Sequence, residues 1–209
     1  MRQEEFIDTY LRSLPRSLGC ALDIGANFGT YTTLMSKKFQ RVYAFEPHPD
    51  NVTVLTNNTH NMHNVTVIPL ALSRRGEPCN LFDNGYDAGG HSIRSELGEH
   101  GTWGHSPENF IVVSSTTLDT FCAGKNISFI KCDIEGGEYE IFYSAAETLH
   151  ANNITILLET HQVTNWDKDQ KERDDLQNYL SNFGYVIYTT DGHRVDHMDY
   201  DTHYIIFKE

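Results

Sequence analysis

Apolar residues along the chain fall into short blocks whose spacing alternates between a helical and a strand period. Phe6, Ile7, Tyr10, Leu11 and Leu14 recur at helical spacing, which predicts an amphipathic helix closed by Pro15. "CALDIG" (20–25) then reads as a buried strand, "GTYTTLMSKKF" (29–39) as a helix and "RVYAFEP" (41–47) as a second strand. "PDNVTVLTNNTH" (49–60) predicts another helix, entered through Pro49 and Asp50 despite its β-branched content. "VTVIPLAL" (65–72) predicts a third strand.

From Ser73 to about Asn109 the alternation breaks into a stretch rich in Gly, His, Ser and Asn, too long for an ordinary connection. "FIVVSSTTLDTF" (110–121) resumes strand-like character, and "ISFIKCDI" (127–134) reads as a fourth core strand. "GEYEIFYSAAETLH" (137–150) predicts one helix with Ile141, Phe142, Ala145, Ala146 and Leu149 on a shared face. "ITILLET" (154–160) gives a fifth strand, and the charged segment near Lys168 to Asn182 a helix. "YVIYTT" (185–190) and "THYIIFKE" (202–209) follow as two strands without a helix between them.

Strands alternating with helices predict a doubly wound α/β fold, a mostly parallel sheet covered on both faces. The last two strands predict an antiparallel hairpin at one edge. With 209 residues, 39% of them hydrophobic, the expectation is one domain over 1–209, with an N-terminal helix (1–18) and a variable insert (73–109).

A net charge of −13 without a basic run argues against a nucleic-acid partner. No apolar stretch approaches the roughly 20 residues that span a bilayer, so no membrane partner is expected. The amphipathic, acid-bearing amino terminus does not read as a signal peptide. Cys20, Cys79, Cys122 and Cys132 lack CxxC spacing, and two of them fall in predicted core strands. Reduced thiols in a cytoplasmic protein are the expectation.

The candidate chemistry begins at "LDIGANFGTYT" (22–32), where the first strand turns into a helix. In open α/β sheets ligands sit beyond the carboxyl ends of the strands, and glycines such as Gly25 and Gly29 let backbone approach them closely. Glu46 ends the second strand 21 positions after Gly25, where a carboxylate can accept from a ribose diol. NAD and S-adenosylmethionine both carry that ribose. The turn lacks the third glycine of the dinucleotide fingerprint, and Asp23 leads into it. A carboxylate there suits an amino-acid ammonium better than a pyrophosphate, which favours the methyl donor.

Four ordered blocks, "DIGANFGTYT", "FEPHPDN", "ALS" and "IKCDIEGGEYEIF", resemble the FkbM-type S-adenosylmethionine-dependent methyltransferases, from about Leu22 to Glu159. Lys131, Asp133, Glu135, Gly136 and Glu138 match that family's K-x-D-x-E-G-x-E pattern. The resemblance implies a class I, seven-stranded methyltransferase fold and an O-methyltransferase that acts on a hydroxyl of a small molecule, sugar or glycan and releases S-adenosylhomocysteine. It places Asp23, Gly25, Asn27 and Gly29 around the methionine end, Glu46 at the ribose, Ala71 and Leu72 beside the adenine and Asp133 near the transferring methyl, with Ala26, Phe28 and Pro47 as further cofactor-binding positions.

Lys131, Asp133 and Glu135 alternate, so a strand would project them to one face, where buried charges need partners or a ligand. An attacking alcohol must lose its proton, and Asp133 is the first candidate base, with Glu135 the alternative and His161 a third. Lys131 could instead steady charge on the acceptor oxygen, or simply brace Asp133. Asp133, Glu159 and His161 could meet at strand ends, but no compact ligand motif is present and metal is left unassigned. The insert carries Tyr86, His91, His100, Trp103 and His105, fit for a substrate lid or for a variable surface loop. Two other readings stay open: an NAD-linked oxidoreductase on a related sheet, and a cofactor-binding module without turnover.

Overall fold

The computed structural model describes residues 3–16, 18–82, 90–94, 109–162, 166–199 and 201–209. In chain order the elements begin with α1 (Gln3–Ser13), β1 (Leu18–Ile24), α2 (Thr30–Met35), β2 (Phe39–Phe45), α3 (Pro49–Thr59) and β3 (Val65–Ile68). Four short strands follow: β4 (Ala71–Leu72), β5 (Cys79–Phe82), β6 (Phe110–Val113) and β7 (Ser115–Thr116). Next come α4 (Leu118–Cys122), β8 (Ile127–Cys132), α5 (Glu138–Phe142) and α6 (Ala146–Ala151). The last elements are β9 (Thr155–Thr160), α7 (Trp166–Ser181), β10 (Tyr185–Thr189) and β11 (Thr202–Lys208).

Seven strands form one sheet in the order β10-β11-β9-β8-β1-β2-β3. β1 pairs in parallel with both β2 and β8, so the strand order reverses about β1. β11 runs antiparallel to β9 and to β10, which makes the expected edge hairpin. The period of two along the central strands sorts their side chains into two layers. Ala21, Phe129 and Leu157 pack with Ile7 and Leu11 of α1 on one face. Their neighbours Leu22, Ile130 and Leu158 pack on the other with Phe142, Leu149, Leu176 and Leu180. Both faces are therefore covered, and Asp23, Lys131, Asp133 and Glu159 sit at or near the carboxyl ends of the parallel strands β1, β8 and β9.

Three segments depart from the sequence expectation for reasons of backbone chemistry. The third strand splits at Pro69, which has no N–H to donate. β3 stays in the main sheet while β4 leaves it to pair with β7. The helix expected over 137–150 is two helices. Asp119 of α4 accepts from the backbone N–H groups of Glu147 and Thr148, capping α6 where a continuous helix would have bonded internally. The strand-like run 110–121 ends in α4, capped by the Thr117 hydroxyl. By contrast α3 forms as expected, with Pro49 at its start and Leu55 buried.

Part of the 73–109 segment is sheet: β5 pairs antiparallel with β6, and Ser92 bridges to Phe82. Tyr86, His100, Trp103 and His105 lie outside the described residues. The four cysteines are free thiols.

Candidate active site

The glycine turn is built by close backbone approach. Gly25 has φ +77°, and a Cβ there would lie 1.8 Å from the carbonyl oxygen of Asp133 on β8. Position 25 must therefore be glycine on two counts, conformation and space. The N–H groups of Gly25 and Ala26 both donate to the Phe45 carbonyl, at 3.1 and 2.9 Å. This ties the turn to the end of β2, where Glu46 stands. Glu46 Oε2 accepts from the Asn27 N–H and Oε1 from the His48 N–H, each at 2.9 Å. Burial raises the Glu46 carboxyl to about 6, against those backbone donors.

A cleft opens beside this turn, lined by Gly25, Asn27, Glu46, Pro47 and Asn51. Phe45, Leu70, Ala71, Leu72 and Ile141 give it an apolar wall, and Asp133 and Glu135 line it as well. β4 brings Ala71 and Leu72 to this wall because Pro69 has taken them out of the main sheet. Gly90, His91 and Ile93 of the insert also line it. His91 stacks on His48 with ring centroids 4.3 Å apart, and the Ser92 hydroxyl donates to the Glu135 carbonyl at 2.6 Å.

Other residues expected at the cofactor lie outside that lining. Asp23 is fully buried, accepts from the Thr32 hydroxyl at 2.5 Å and sits 3.8 Å from Lys131 Nζ. Gly29, at φ +89°, is the cap of α2 and packs against Leu55. Ala26 is buried, while Phe28 is 39% exposed. These four shape the turn from behind.

On the strand beside this turn, β8 delivers the charged residues. Lys131 is buried, donates to Asp133 Oδ2 at 3.0 Å and lies over the Tyr31 ring. Burial alone would lower its pKa, but Asp133 and Asp23 outweigh it and keep the ammonium charged. Likewise, burial would raise the Asp133 carboxyl, yet Lys131 and His161 hold it below the usual carboxylate value. Glu135 follows at φ +54°, a left-handed conformation that a glutamate rarely adopts. Burial lifts its carboxyl to about 7.

His161, just past β9, closes the group. Its Nδ1 donates to Glu138 Oε1 at 2.7 Å, and the same oxygen accepts from the Gly136 N–H at 3.1 Å. Its Nε2 sits 3.7 Å from Asp133 Oδ1, Glu135 Oε2 and Glu159 Oε1 alike. Burial opposes the imidazolium, but Glu138, Glu135 and Asp133 carry its pKa up to about 10. On β11, His203 stands opposite Glu159, its Nε2 2.9 Å from Glu159 Oε2.

Two members of this site escaped the sequence reading of roles. Glu138 orients His161 and braces the loop after β8; its only signal was its place in the K-x-D-x-E-G-x-E run. His203 carried no local signal at all, because it reaches Glu159 only through antiparallel register.

The profile of the methyltransferase FkbM domain matches residues 23–187. The hexuronic acid methyltransferase AglP of Haloferax volcanii is 29% identical over 138 residues, which are 65% of this chain and 53% of that protein. The chain thus spans about half the length of this curated relative. Among solved structures, a methyltransferase FkbM from Methylobacillus flagellatus KT superposes over 96% of this chain and 50% of its own, with 18% identity and a TM-score of 0.55. Aeropyrum pernix fibrillarin, in complex with natively bound S-adenosyl-L-methionine, covers 97% of this chain and 73% of its own, at 12% identity and a TM-score of 0.51. At such identities these structures establish the shared fold.

Proposed function

The chain belongs to the methyltransferase FkbM domain family, and from that premise we propose that it moves a methyl group from S-adenosylmethionine to a hydroxyl oxygen of a sugar, glycan or other small molecule. The observation that carries this reading is one cleft that joins the glycine turn and Glu46 to Asp133 and Glu135. When bound, the cofactor supplies a sulfonium-activated methyl carbon and departs as S-adenosylhomocysteine.

The residues present fit that cofactor. Glu46, already fixed by two backbone donors, accepts from ribose hydroxyls. Asn27 Oδ1 is a buried acceptor with no hydrogen-bond partner, suited to a donor such as the methionine ammonium. Ala71 and Leu72 offer apolar contact to the adenine. Asp23 behind the turn and Glu46 beside it make a poor seat for a pyrophosphate, which weighs against the NAD reading.

At the acceptor end the roles follow from charge. Glu135 receives the hydroxyl proton, because it lines the cleft and its pKa sits near neutrality. Asp133, held as an anion by Lys131, orients the acceptor hydroxyl. Lys131 is buried behind Asp133, outside the cleft lining, so it positions that carboxylate and does not touch the acceptor. Alignment of this kind is worth several kcal/mol, on the order of 7 where both reactants are well held. A carbohydrate acceptor is the preferred class because the Haloferax volcanii relative is named for a hexuronic acid.

Titration calorimetry with S-adenosylhomocysteine and with NAD, followed by transfer of a labelled methyl to uronic acids and neutral sugars, tests the reading. Binding of the former and label in a carbohydrate support it. Binding of NAD alone points to the oxidoreductase, and cofactor binding without transfer to any hydroxyl compound points to a binding module.

A further inference from the structure

Three polar side chains at the carboxyl ends of β8 and β9 share one arrangement: each has one atom held by a buried partner and one atom directed at the other two. Asp133 Oδ2 accepts from Lys131, while Oδ1 stands 3.7 Å from His161 Nε2. Glu159 Oε2 is paired with His203 at 2.9 Å, while Oε1 stands 3.7 Å from the same nitrogen. His161 Nδ1 is engaged by Glu138 at 2.7 Å. That leaves Nε2, on a largely buried side chain, beyond hydrogen-bond reach of the oxygens around it. One ligand atom from each of the three residues falls within 4.8 Å of the other two.

From this convergence we infer that Asp133, Glu159 and His161 form a site for a divalent transition-metal cation at the acceptor end of the cleft. Neighbouring ligands on such an ion, bonded at about 2.1 Å, stand roughly 3 Å apart. The 3.7 Å gaps from His161 therefore close by under an ångström when the ion enters, and no gap in the set exceeds 4.8 Å. Binding displaces the Nε2 proton of His161 to solvent, and the neutral imidazole with two carboxylates suits Mn²⁺ or Zn²⁺ better than Mg²⁺ or Ca²⁺. Glu138, His203 and Lys131 are the outer partners that such sites need to fix ligand orientation. Three protein ligands leave positions open, and Asp133 faces the cleft. There the cation holds and polarises an acceptor oxygen, which favours acceptors with two adjacent oxygens, such as a vicinal diol or a hydroxy acid. The site itself stands without the methyl-transfer reading; its role at the acceptor rests on it.

The test is calorimetric titration of Mn²⁺ into chelator-stripped protein, with loss of the free Mn²⁺ paramagnetic resonance signal as a second readout. The parent chain should bind stoichiometrically. His161→Gln and Glu159→Gln should lose binding, and His203→Gln, which removes only an outer partner, should weaken it by about tenfold. Thermal unfolding and S-adenosylhomocysteine titration of every variant report whether the fold and the cofactor end are intact. Failure of Mn²⁺ and of Zn²⁺ to bind the parent chain overturns the inference, as does unchanged binding in folded His161→Gln and Glu159→Gln. If S-adenosylhomocysteine still binds in that case, the metal site has failed and the transferase reading has not.

Discussion

The two ends of the cleft are built in opposite ways. At the β1–β2 end the determinants are local and mostly backbone: Gly25, Asn27, Glu46 and His48 come from 24 consecutive positions and are linked by N–H donors. At the β8–β9 end they are side chains gathered from three distant segments, 131–138, 159–161 and 203, and matched charge against charge. The first construction makes a rigid seat for one fixed molecule. The second makes a polar group whose character can change with one residue, as suits the proposed acceptor end.

The largest expected effect comes from joining the two ends. Gly25→Ala drives a methyl into the Asp133 carbonyl at a positive φ, so both ends should be disrupted together. Denaturant unfolding should show a loss of about 3 kcal/mol or more, with S-adenosylhomocysteine binding abolished. Next, Glu135→Gln should lower kcat by about 100-fold while cofactor affinity stays within a factor of about two, which separates the ends.

Glu46→Gln should do the reverse, weakening S-adenosylhomocysteine by about tenfold through loss of a charged acceptor. The same group gives the pH dependence. Its carboxyl is raised to about 6 in the folded protein, and on the proposed reading the ionised form is the better acceptor for the ribose hydroxyls. Cofactor affinity should therefore fall as pH drops below about 6, and the Gln variant should lack that fall. For stability the sign is reversed from the usual carboxylate. A raised folded pKa means that this group's contribution is present below its unfolded value and is lost as pH rises through about 6. The smallest effect should be that of Phe28→Ala. The side chain is half-exposed outside the cleft, so stability should change by about 0.5 kcal/mol and affinity hardly at all.

The same contrast decides what was legible in the sequence. Gly25 and Glu46 could be read from strand ends and spacing, since a turn and its neighbouring strand tip are fixed by local chain geometry. Asp133 and Glu135 were legible as acidic positions in a strand that should be apolar. Their roles were not, because the Lys131 pair and the burial of Glu135 exist only after packing. His203 was invisible: it belongs to the site because β11 is inserted antiparallel beside β9 in a register that sets it against Glu159. In the same way the break between α5 and α6 depends on Asp119, more than twenty-five positions upstream of the backbone groups it caps. The partners of Asp23 and Gly29 were likewise not legible, since Asp23 faces Thr32 and Lys131, and Gly29 faces Leu55, only once the turn is packed.

The most direct test of the central claim is a crystal structure of the protein soaked with S-adenosylhomocysteine. The account predicts ribose hydroxyls on Glu46, adenine against Ala71 and Leu72, and the sulfur at the end of the cleft that Asp133 and Glu135 line. Density for the nucleoside anywhere else, or a cleft that stays closed to it while a pyrophosphate compound enters, would contradict the account.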